Sequence, residues 1–592
     1  MPTTQTPFRL DGPLRKIPAI GPLALDLAER ALAFERLANI HRQASGERTT
    51  PAEFAARALQ ILQVRFEIDP QQLSRLPPSG PAVVVANHPY GGIEGLFLIS
   101  LLAGMRSDTL VLANRLLYRI PEIRDCILPV DAFGGGDAAR YNIGSLRRAL
   151  KHVQNGGLLV LFPAGSVSHL HLSAGRVCDP PWSTSAARLL RMCGCSITPM
   201  HFGGGNSAAF QTLGLLHPKM RTALLSRELL GHRHRTIPVT IGRAIPPERI
   251  REHEDDASLA SWLRLSTYAL EARHTARRRA GRDLAAVDAA VPTALLDAEI
   301  NCLDASQTLA SSGDLTVVSA RASQIPWTLR EIGRLREIAF RGVGEGTGRG
   351  SDLDDYDATY VHLIAWDRGA KRVAGAYRLA HVDEIDARCG PRGLYTHSLF
   401  SYGRPFLDAL GPALELGRSF VTPEYQKSFA TLLLLWKAIA EYVARNPRYH
   451  VLFGPVSVSA DYRPHSHALL IDFLKRHCYD ATLAQLVRPR RPFRRTHSLA
   501  ALGGDLARLT SLEELSRLVE EMEPDGKGVP VLLRQYLKLG ARMVGFNVDR
   551  SFGDVVDAMI VVDLLRTEPR TLQKYMGKDQ AATFLSHDRT AA

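Results

Sequence analysis

The chain has no uninterrupted apolar run approaching the ~18 residues that a membrane-spanning helix requires, so it is expected to stay in water or rest on a bilayer without crossing it. Its opening run, MPTTQTPFRLDGPLRKIPAIG, has no apolar stretch after the basic residues, and no secretory signal is expected. Cysteine is scarce. The seven (Cys126, Cys178, Cys193, Cys195, Cys302, Cys389, Cys478) are odd in number, and the one close pair is C-x-C, not the C-x-x-C of zinc ribbons and redox motifs. Reduced thiols in a cytoplasmic protein follow. Internal repeats and long low-complexity tracts are absent too. Acidic residues are outnumbered, 60 against 73 Lys and Arg, leaving a formal charge of +13. That excess calls for nucleic acid, an anionic bilayer or an acidic protein as partner. With 45% hydrophobic residues over 592 positions the chain can bury large cores, and ~150 residues per domain predicts two to four domains.

Residues 21–41 (GPLALDLAERALAFERLANIH) carry apolar residues at helical spacing with both charge signs between them, which favours a helix packed on the core over one lying in a membrane interface. From about 80 to 250, short apolar runs (PAVVVAN, TLVLAN, LLVLFPAG, SITPMHFGG) alternate with helical ones, the pattern of a β/α arrangement with a covered sheet. An Arg- and Ala-rich stretch near 270–290 marks a boundary. A second pattern follows: TVVSA, a helix near 327–341, a Gly- and Asp-rich loop, strands YVHLIAW, RVAGAYRLA and PALELGRSFV, an apolar helix from about 428 to 445, and strand HVLFGPVSVS. Short turns between consecutive strands predict a mixed sheet with an antiparallel meander.

PAVVVAN ends in Asn87-His88-Pro89-Tyr90-Gly91-Gly92-Ile93-Glu94, putting a histidine at the carboxyl end of a buried strand, where α/β folds place ligands. A neutral imidazole there can take a proton from an alcohol while Glu94, opening the next helix, holds its other nitrogen. No Ser or Cys nucleophile stands beside it, so direct attack of an activated hydroxyl on an acyl donor is the implied chemistry. Further on come Phe162-Pro163-Ala164-Gly165-Ser166 and a strand with Pro199 leading to His201. His169, His171 and His201 have no metal-site spacing around them and are expected to be scaffold or pocket lining. Over roughly residues 75–270 this order resembles the lysophospholipid acyltransferase family, with its NHxxxxD, FPEG and V-P blocks. The resemblance implies His88 and Glu94 as catalytic and Asn87, Gly91, Gly92, Phe162, Pro163, Gly165, Ser166 and Pro199 as substrate-binding. Two departures stand out. Val130-Asp131 is followed by Ala132 where the family has a phosphate-holding Arg, and the FPEG acid is Ala164. An acceptor that is not a phosphate monoester is expected, unless Arg140, Arg147 or Arg148 supplies the charge.

In the second half, Glu415-Leu416-Gly417-Arg418-Ser419-Phe420-Val421 precedes a helix, and the next strand ends in Phe453-Gly454-Pro455-Val456-Ser457. Polar residues within a buried strand must be paired, either with each other or with a ligand. The combination resembles the GNAT-type N-acyltransferases related to acyl-homoserine-lactone synthases, whose strand carries an ExxR core. The loop Asp352-Leu353-Asp354-Asp355-Tyr356-Asp357, Val373-Ala374-Gly375 with Arg378, and the run Lys527-Gly528-Val529-Pro530-Val531-Leu532-Leu533-Arg534-Gln535-Tyr536-Leu537-Lys538-Leu539-Gly540-Ala541 with Phe552 and Asp554 extend it over about 315–575, towards the ornithine lipid N-acyltransferases. It implies Glu415 and Arg418 as catalytic and Asp357, Ser419 and Val421 as substrate-binding. The glycine of the pyrophosphate loop is missing from Gln426-Lys427-Ser428-Phe429-Ala430, which favours acyl carrier protein over coenzyme A as donor.

Together the halves resemble the bifunctional ornithine lipid synthases. The expected fold is α/β in two domains, a glycerolipid acyltransferase-type β/α domain and a GNAT-like mixed-sheet domain: a helical segment over 1–75, O-acyltransferase over 76–285, linker over 286–314 and N-acyltransferase with a C-terminal extension over 315–592. What the resemblance implies is N-acylation of ornithine by 3-hydroxyacyl-acyl carrier protein, then O-acylation of the lyso-lipid, with no metal and no tightly bound cofactor. Oxyanion donors are sought among the turn amides near Gly91–Gly92 and Gly165. Acyl carrier protein and the inner face of a bacterial inner membrane are the implied anionic partners for the clusters Arg488, Arg490, Arg491, Arg494, Arg495 and Arg273, Arg277, Arg278, Arg279, Arg282. Nucleic acid is disfavoured, because aromatic residues are not interleaved with the basic ones. Rival readings are another amino acid such as glycine, a lysophospholipid acyltransferase with an inactive second half, and a non-catalytic peripheral membrane protein.

Overall fold

The computed structural model describes residues 33–115, 117–131, 136–171, 176–216, 218–271, 284–427, 429–494, 503–523 and 525–587. Of the helix expected over 21–41 it shows the segment from Phe34, which runs on to Ala44. Ala132, Arg273, Arg277, Arg278, Arg279, Arg282, Ser428, Arg495 and the Arg140 side chain lie outside the described residues. The chain divides into two compact units, Met1–Ala276 with His497–Gly526 and Arg277–Thr496 with Lys527–Ala592.

The first unit is built on strands β1 (Arg65–Glu67), β2 (Ala82–Ala86), β3 (Thr109–Asn114), β4 (Ile127–Val130), β5 (Leu158–Leu161), β8 (Ser196–Phe202) and β9 (Thr236–Ile241), with β6 (His169–His171) and β7 (Arg176–Cys178) forming a separate hairpin. The sheet order is β1-β9-β8-β2-β5-β3-β4, and every neighbour pair is parallel except β8 with β9. Helices α1 (Ile93–Leu98), α2 (Gly136–Gln154), α3 (Thr184–Cys193) and α4 (Asp256–Ala269) accompany it. The sequences AVVVA and LLVL show no alternation because the central strands β2 and β5 are buried on both faces. Successive residues still point opposite ways: Val84 and Ala86 join the core that holds Ile93 and Leu98, while Val83 and Val85 join the one that holds Leu190 and Leu263.

Helix α4 is held on its outer side by residues from far along the chain. Helices Gly503–Arg508 and Leu512–Met522 pack against it, and Arg264 on α4 forms a buried ion pair with Asp505. The segment 503–526, expected within the C-terminal domain, thus groups with the first unit. No local pattern marks this, because an amphipathic helix does not encode which core it will cover.

The second unit carries β10 (Thr308–Ser312), β11 (Leu315–Arg321), β12 (Val361–Asp367), β13 (Arg372–His381), β15 (Ala413–Val421), β16 (Val451–Val458), β18 (Arg542–Asp549) and β19 (Val555–Asp563), beside the small pair β14 (Phe400–Tyr402) and β17 (Val487–Pro489). The order is β10-β11-β12-β13-β15-β16-β19-β18. Residues 286–314, expected as a linker, contain helix Thr293–Asn301 and the edge strand β10. Helices α5 (Pro326–Arg341) and α6 (Ala430–Arg445) belong to this unit.

All neighbours in this sheet are antiparallel except β15 and β16, which pair in parallel at Ala413↔Val451, Leu414↔Leu452 and Glu415↔Phe453. Beyond Glu415 and Phe453 the two strands run on without pairing each other, so a wedge opens between them. Its apex is tight: a Cβ on Gly454 would stand 2.0 Å from the Leu416 carbonyl oxygen, a place only glycine can occupy. On the other side of β15 the register against β13 slips between Ala376↔Phe420 and Arg378↔Gly417, which is a β-bulge, and Arg418 sits in it at φ 50°.

Candidate active sites

In the first unit, β2 delivers Asn87 and His88 to the carboxyl end of the sheet. Asn87 is buried and clamps the neighbouring strand in both directions, its amide donating to Phe202 O at 2.9 Å while its carbonyl accepts from Phe202 N at 2.7 Å. The turn that follows needs glycine: Gly91 lies at φ 89°, and a Cβ there would meet Leu225 and Val167 within 3 Å. Glu94, fully buried at the start of α1, accepts from Tyr90 N and Gly91 N at 2.9 Å each, so the helix's own first turn holds the loop. The same oxygen stands 2.9 Å from His88 Nδ1, close but off the axis of a linear hydrogen bond. Burial pushes the Glu94 carboxyl up, but His88 and the turn amides outweigh it and hold it below its ordinary value. An ionised Glu94 therefore keeps a proton on Nδ1, and Nε2 is left as the basic nitrogen. The imidazole is partly exposed and lies over Phe162, with ring centroids 4.3 Å apart.

A second buried carboxylate braces the histidine. Asp179 accepts the His88 amide at 3.1 Å, Ser168 Oγ at 2.5 Å and Trp182 Nε1 at 2.9 Å, and Ser168 N donates to His88 O at 2.8 Å. Arg264 donates to the Asp179 carbonyl. Sequence reasoning missed Asp179; the one local sign is the rigid Pro180-Pro181-Trp182 that follows it.

Pro163 is buried and its carbonyl accepts Ser183 N at 3.0 Å, while Gly165 and Ser166 form an exposed turn. Pro199 lies elsewhere: it is buried within β8 opposite Val85, three residues before His88 along the sheet, and accepts Gly242 N. Two of the amides considered as oxyanion donors are already engaged, Gly91 N by Glu94 and Gly165 N by the Phe162 carbonyl. Gly92 N is left. His169 and His171 stack at 4.5 Å, and burial pushes His169 down to about 4, which fits neutral lining residues. No His, Cys, Asp and Glu cluster among the described residues could hold a metal ion. Arg147 and Arg148 are exposed on α2.

In the second unit the buried Glu415 serves the chain itself. Its oxygens accept Thr396 N at 2.7 Å, Tyr395 N at 3.1 Å and the Tyr360 hydroxyl, fixing the Tyr395 turn beside the wedge. Asp357 is equally occupied, taking Arg336 Nη1 at 3.0 Å and Nη2 at 2.7 Å and Arg378 Nη1 at 3.0 Å. Burial works against its charge, and the two guanidinium groups hold it far below the carboxylate range. Breaking such a buried pair from one side costs ~3–5 kcal/mol. Arg378 donates to Asp354 at 2.5 Å and lies over Tyr360 and Tyr395. These groups form a rigid floor.

Arg418 sits differently. Its guanidinium lies 4.8 Å over Tyr395 and 4.6 Å over Phe552, and its nearest carboxylate oxygens, on Asp352 and Asp354, stand 3.6 Å away. Ser419 and Val421 follow along the wedge-facing end of β15, Ser419 beside the Tyr377 hydroxyl. The structure thus brings Arg418, Ser419 and Val421 to the wedge, while the oxygens of Glu415 and Asp357 are occupied by the chain's own donors.

One unit with a strand-end histidine paired to a carboxylate, and another with a sheet wedged open at a bulged strand, define an acyltransferase for both O- and N-acceptors. Residues 15–224 match the family described as "Acyltransferase" and residues 335–437 the one described as "Acetyltransferase (GNAT) domain". Glycine N(alpha)-acyltransferase from Bacteroides thetaiotaomicron is 34% identical over 40% of this chain and 74% of its own. L-ornithine N(alpha)-acyltransferase from Rhodobacter capsulatus is 31% identical over 36% of this chain and 74% of its own. Lyso-glycine lipid O-acyltransferase from Phocaeicola vulgatus is 26% identical over 37% of this chain and 77% of its own. The chain belongs to the aminolipid acyltransferase family.

Proposed function

We propose that this one chain builds a diacylated amino-acid lipid in two steps, with ornithine as the amino acid. The observation that carries the reading is the coexistence of the His88–Glu94 pair and the Arg418 wedge, each intact in its own unit. In the second unit the α-amine of the amino acid attacks the carbonyl of a 3-hydroxyacyl thioester. A C–N bond forms, the C–S bond breaks, the ammonium proton passes to a base and the thiol leaves protonated. In the first unit His88 Nε2 takes the proton of the new 3-hydroxyl as its oxygen attacks a second thioester, then returns it to the departing thiolate. Gly92 N, the one of these turn amides left unengaged, serves as the oxyanion donor in this reading. An acyl carrier protein as donor, and attachment to the anionic inner face of a membrane, are supported by the +13 charge and by the exposed Arg488, Arg490, Arg491 and Arg494. No described helix is long and apolar enough to cross a membrane. Glycine as the amino acid is the competing reading, favoured by the 34% relative.

The test is expression in a host without aminolipids, followed by lipid mass spectrometry. Wild type is expected to make diacyl lipid. His88→Ala should accumulate monoacyl lipid, since losing a general base costs ~10²–10⁴-fold, and Arg418→Ala should make neither. Diacyl product at wild-type level from His88→Ala would refute the base assignment, and the mass of the headgroup separates ornithine from glycine.

A further inference from the structure

Beside Arg418 lies a group of carboxylates that the acyl-transfer chemistry leaves unused. Asp557 on β19 pairs across the sheet with Ser457 on β16, and Ser457 Oγ donates to Glu345 Oε2 at 2.8 Å. Asp557 and Glu345 therefore flank one serine on the free end of the strand that forms one side of the wedge. Asp549 and Asp461 add their fields, and Arg418 is the cation that faces Asp557 and Glu345. Asp557 is only 5% exposed, yet its carboxylate has no hydrogen-bond donor and no ion-pair partner among the described residues. A buried carboxylate left in that state is costly, whereas the floor residues Asp357 and Glu415 have every oxygen occupied. Arg418 makes no hydrogen bond among the described residues, only ion pairs of 3.6 Å to Asp352 and Asp354, and it lies over the Tyr395 and Phe552 rings. A guanidinium on β15 without a hydrogen bond, and a carboxyl group on β19 beside the free end of β16, match a ligand with an anionic end and a cationic end.

We propose that Asp557, with Glu345, binds the side-chain cation of a basic α-amino acid whose α-carboxylate is held by Arg418. A neutral zwitterion such as glycine would engage Arg418 alone and leave the Asp557–Glu345 end, which burial favours in the protonated form, without a cation. A net-cationic diamino acid matches it. The assignment deepens the N-acylation reading and rests on it for the role of the bound amino acid, but binding itself is measurable without an acyl donor.

Calorimetry on the full chain with ornithine alone, and with glycine alone, is the first arm. Wild type is expected to bind ornithine, and Asp557→Asn to bind it ~30-fold or more weakly, while glycine binding changes little. Thermal unfolding without ligand controls for folding: replacing a buried carboxyl that burial already favours protonated by an amide should leave Asp557→Asn at least as stable as wild type, and Glu345→Gln gives a second, independent variant. In the second arm, with a 3-hydroxyacyl thioester, Asp557→Asn should raise KM for ornithine and leave KM for the donor unchanged. Equal losses for ornithine and glycine, or no loss for either, would overturn the assignment. So would folded wild type that fails to bind ornithine. Ornithine binding without acyl transfer would instead sink the N-acylation reading and leave the binding site standing.

Discussion

Two carboxyl groups show how one residue type is driven in opposite directions by its neighbours. Glu94 is fully buried but meets His88 and two backbone amides, so it stays charged; Glu345 is buried with Asp461 close by and Ser457 as donor, and burial pushes it up to about 7. For Glu345 the protonated form is the one the unliganded fold favours. Its contribution to stability is complete below the ordinary carboxyl value of 4.5 and is lost as pH rises through about 7. Glu345→Gln should match wild type in thermal stability at pH 5 and exceed it at pH 8 by up to about 3 kcal/mol. A difference that does not grow between those pH values would show that Glu345 is already charged at low pH. The groups facing it, Ser457, Asp461, Asp557 and Arg418, define the same titration from the ligand's side, because a bound cation favours the ionised form. Residues of this kind were not legible in the sequence. His88, Glu94, Glu415 and Arg418 stand in compact local patterns, but Asp179, Glu345 and Asp557 acquire their character from burial beside residues far away in the chain.

At the level of single elements, β15 decides what the second unit can do. Its first three residues pair in parallel with β16, and its bulge at Arg418 turns the guanidinium between two aromatic rings. The strand itself and its apolar neighbours were readable from ALELGRSFV and VLFGPVSV. The opening between them was not, since where two strands stop pairing depends on both strands and on the close approach at Gly454. Gly454→Ala forces a Cβ against the Leu416 carbonyl, a backbone atom that cannot rotate away. The expected result is a loss of about 2 kcal/mol or more in the stability of the second unit, with N-acylation falling in parallel. Denaturant unfolding of Gly454→Ala would check it, and an unchanged midpoint would mean that the strands separate more freely than their register indicates.

At the level of the whole molecule, the order of the chain and the order of its units differ. Alternating apolar runs gave the two sheets their class, yet residues 503–526, which follow strands β10 to β17 of the second unit, complete the first unit. The consequence reaches the first active site through side chains. Asp505 pairs with Arg264, Arg264 holds the Asp179 carbonyl, and the Asp179 carboxylate holds the backbone of His88. Arg264 and Asp505 are both buried, so removing the acid strands a guanidinium where water cannot reach it, at ~3–5 kcal/mol. Asp505→Ala should therefore behave as an O-acylation defect although it lies in the C-terminal half of the sequence: monoacyl lipid accumulates, N-acylation of the amino acid proceeds, and thermal unfolding shows the first unit weakened. Lipid profiles of Asp505→Ala and His88→Ala, compared side by side, decide the matter. If Asp505→Ala instead lost N-acylation and kept diacylation of supplied monoacyl lipid, the segment would serve the second unit, and the support of His88 would have to come from α4 and Asp179 alone.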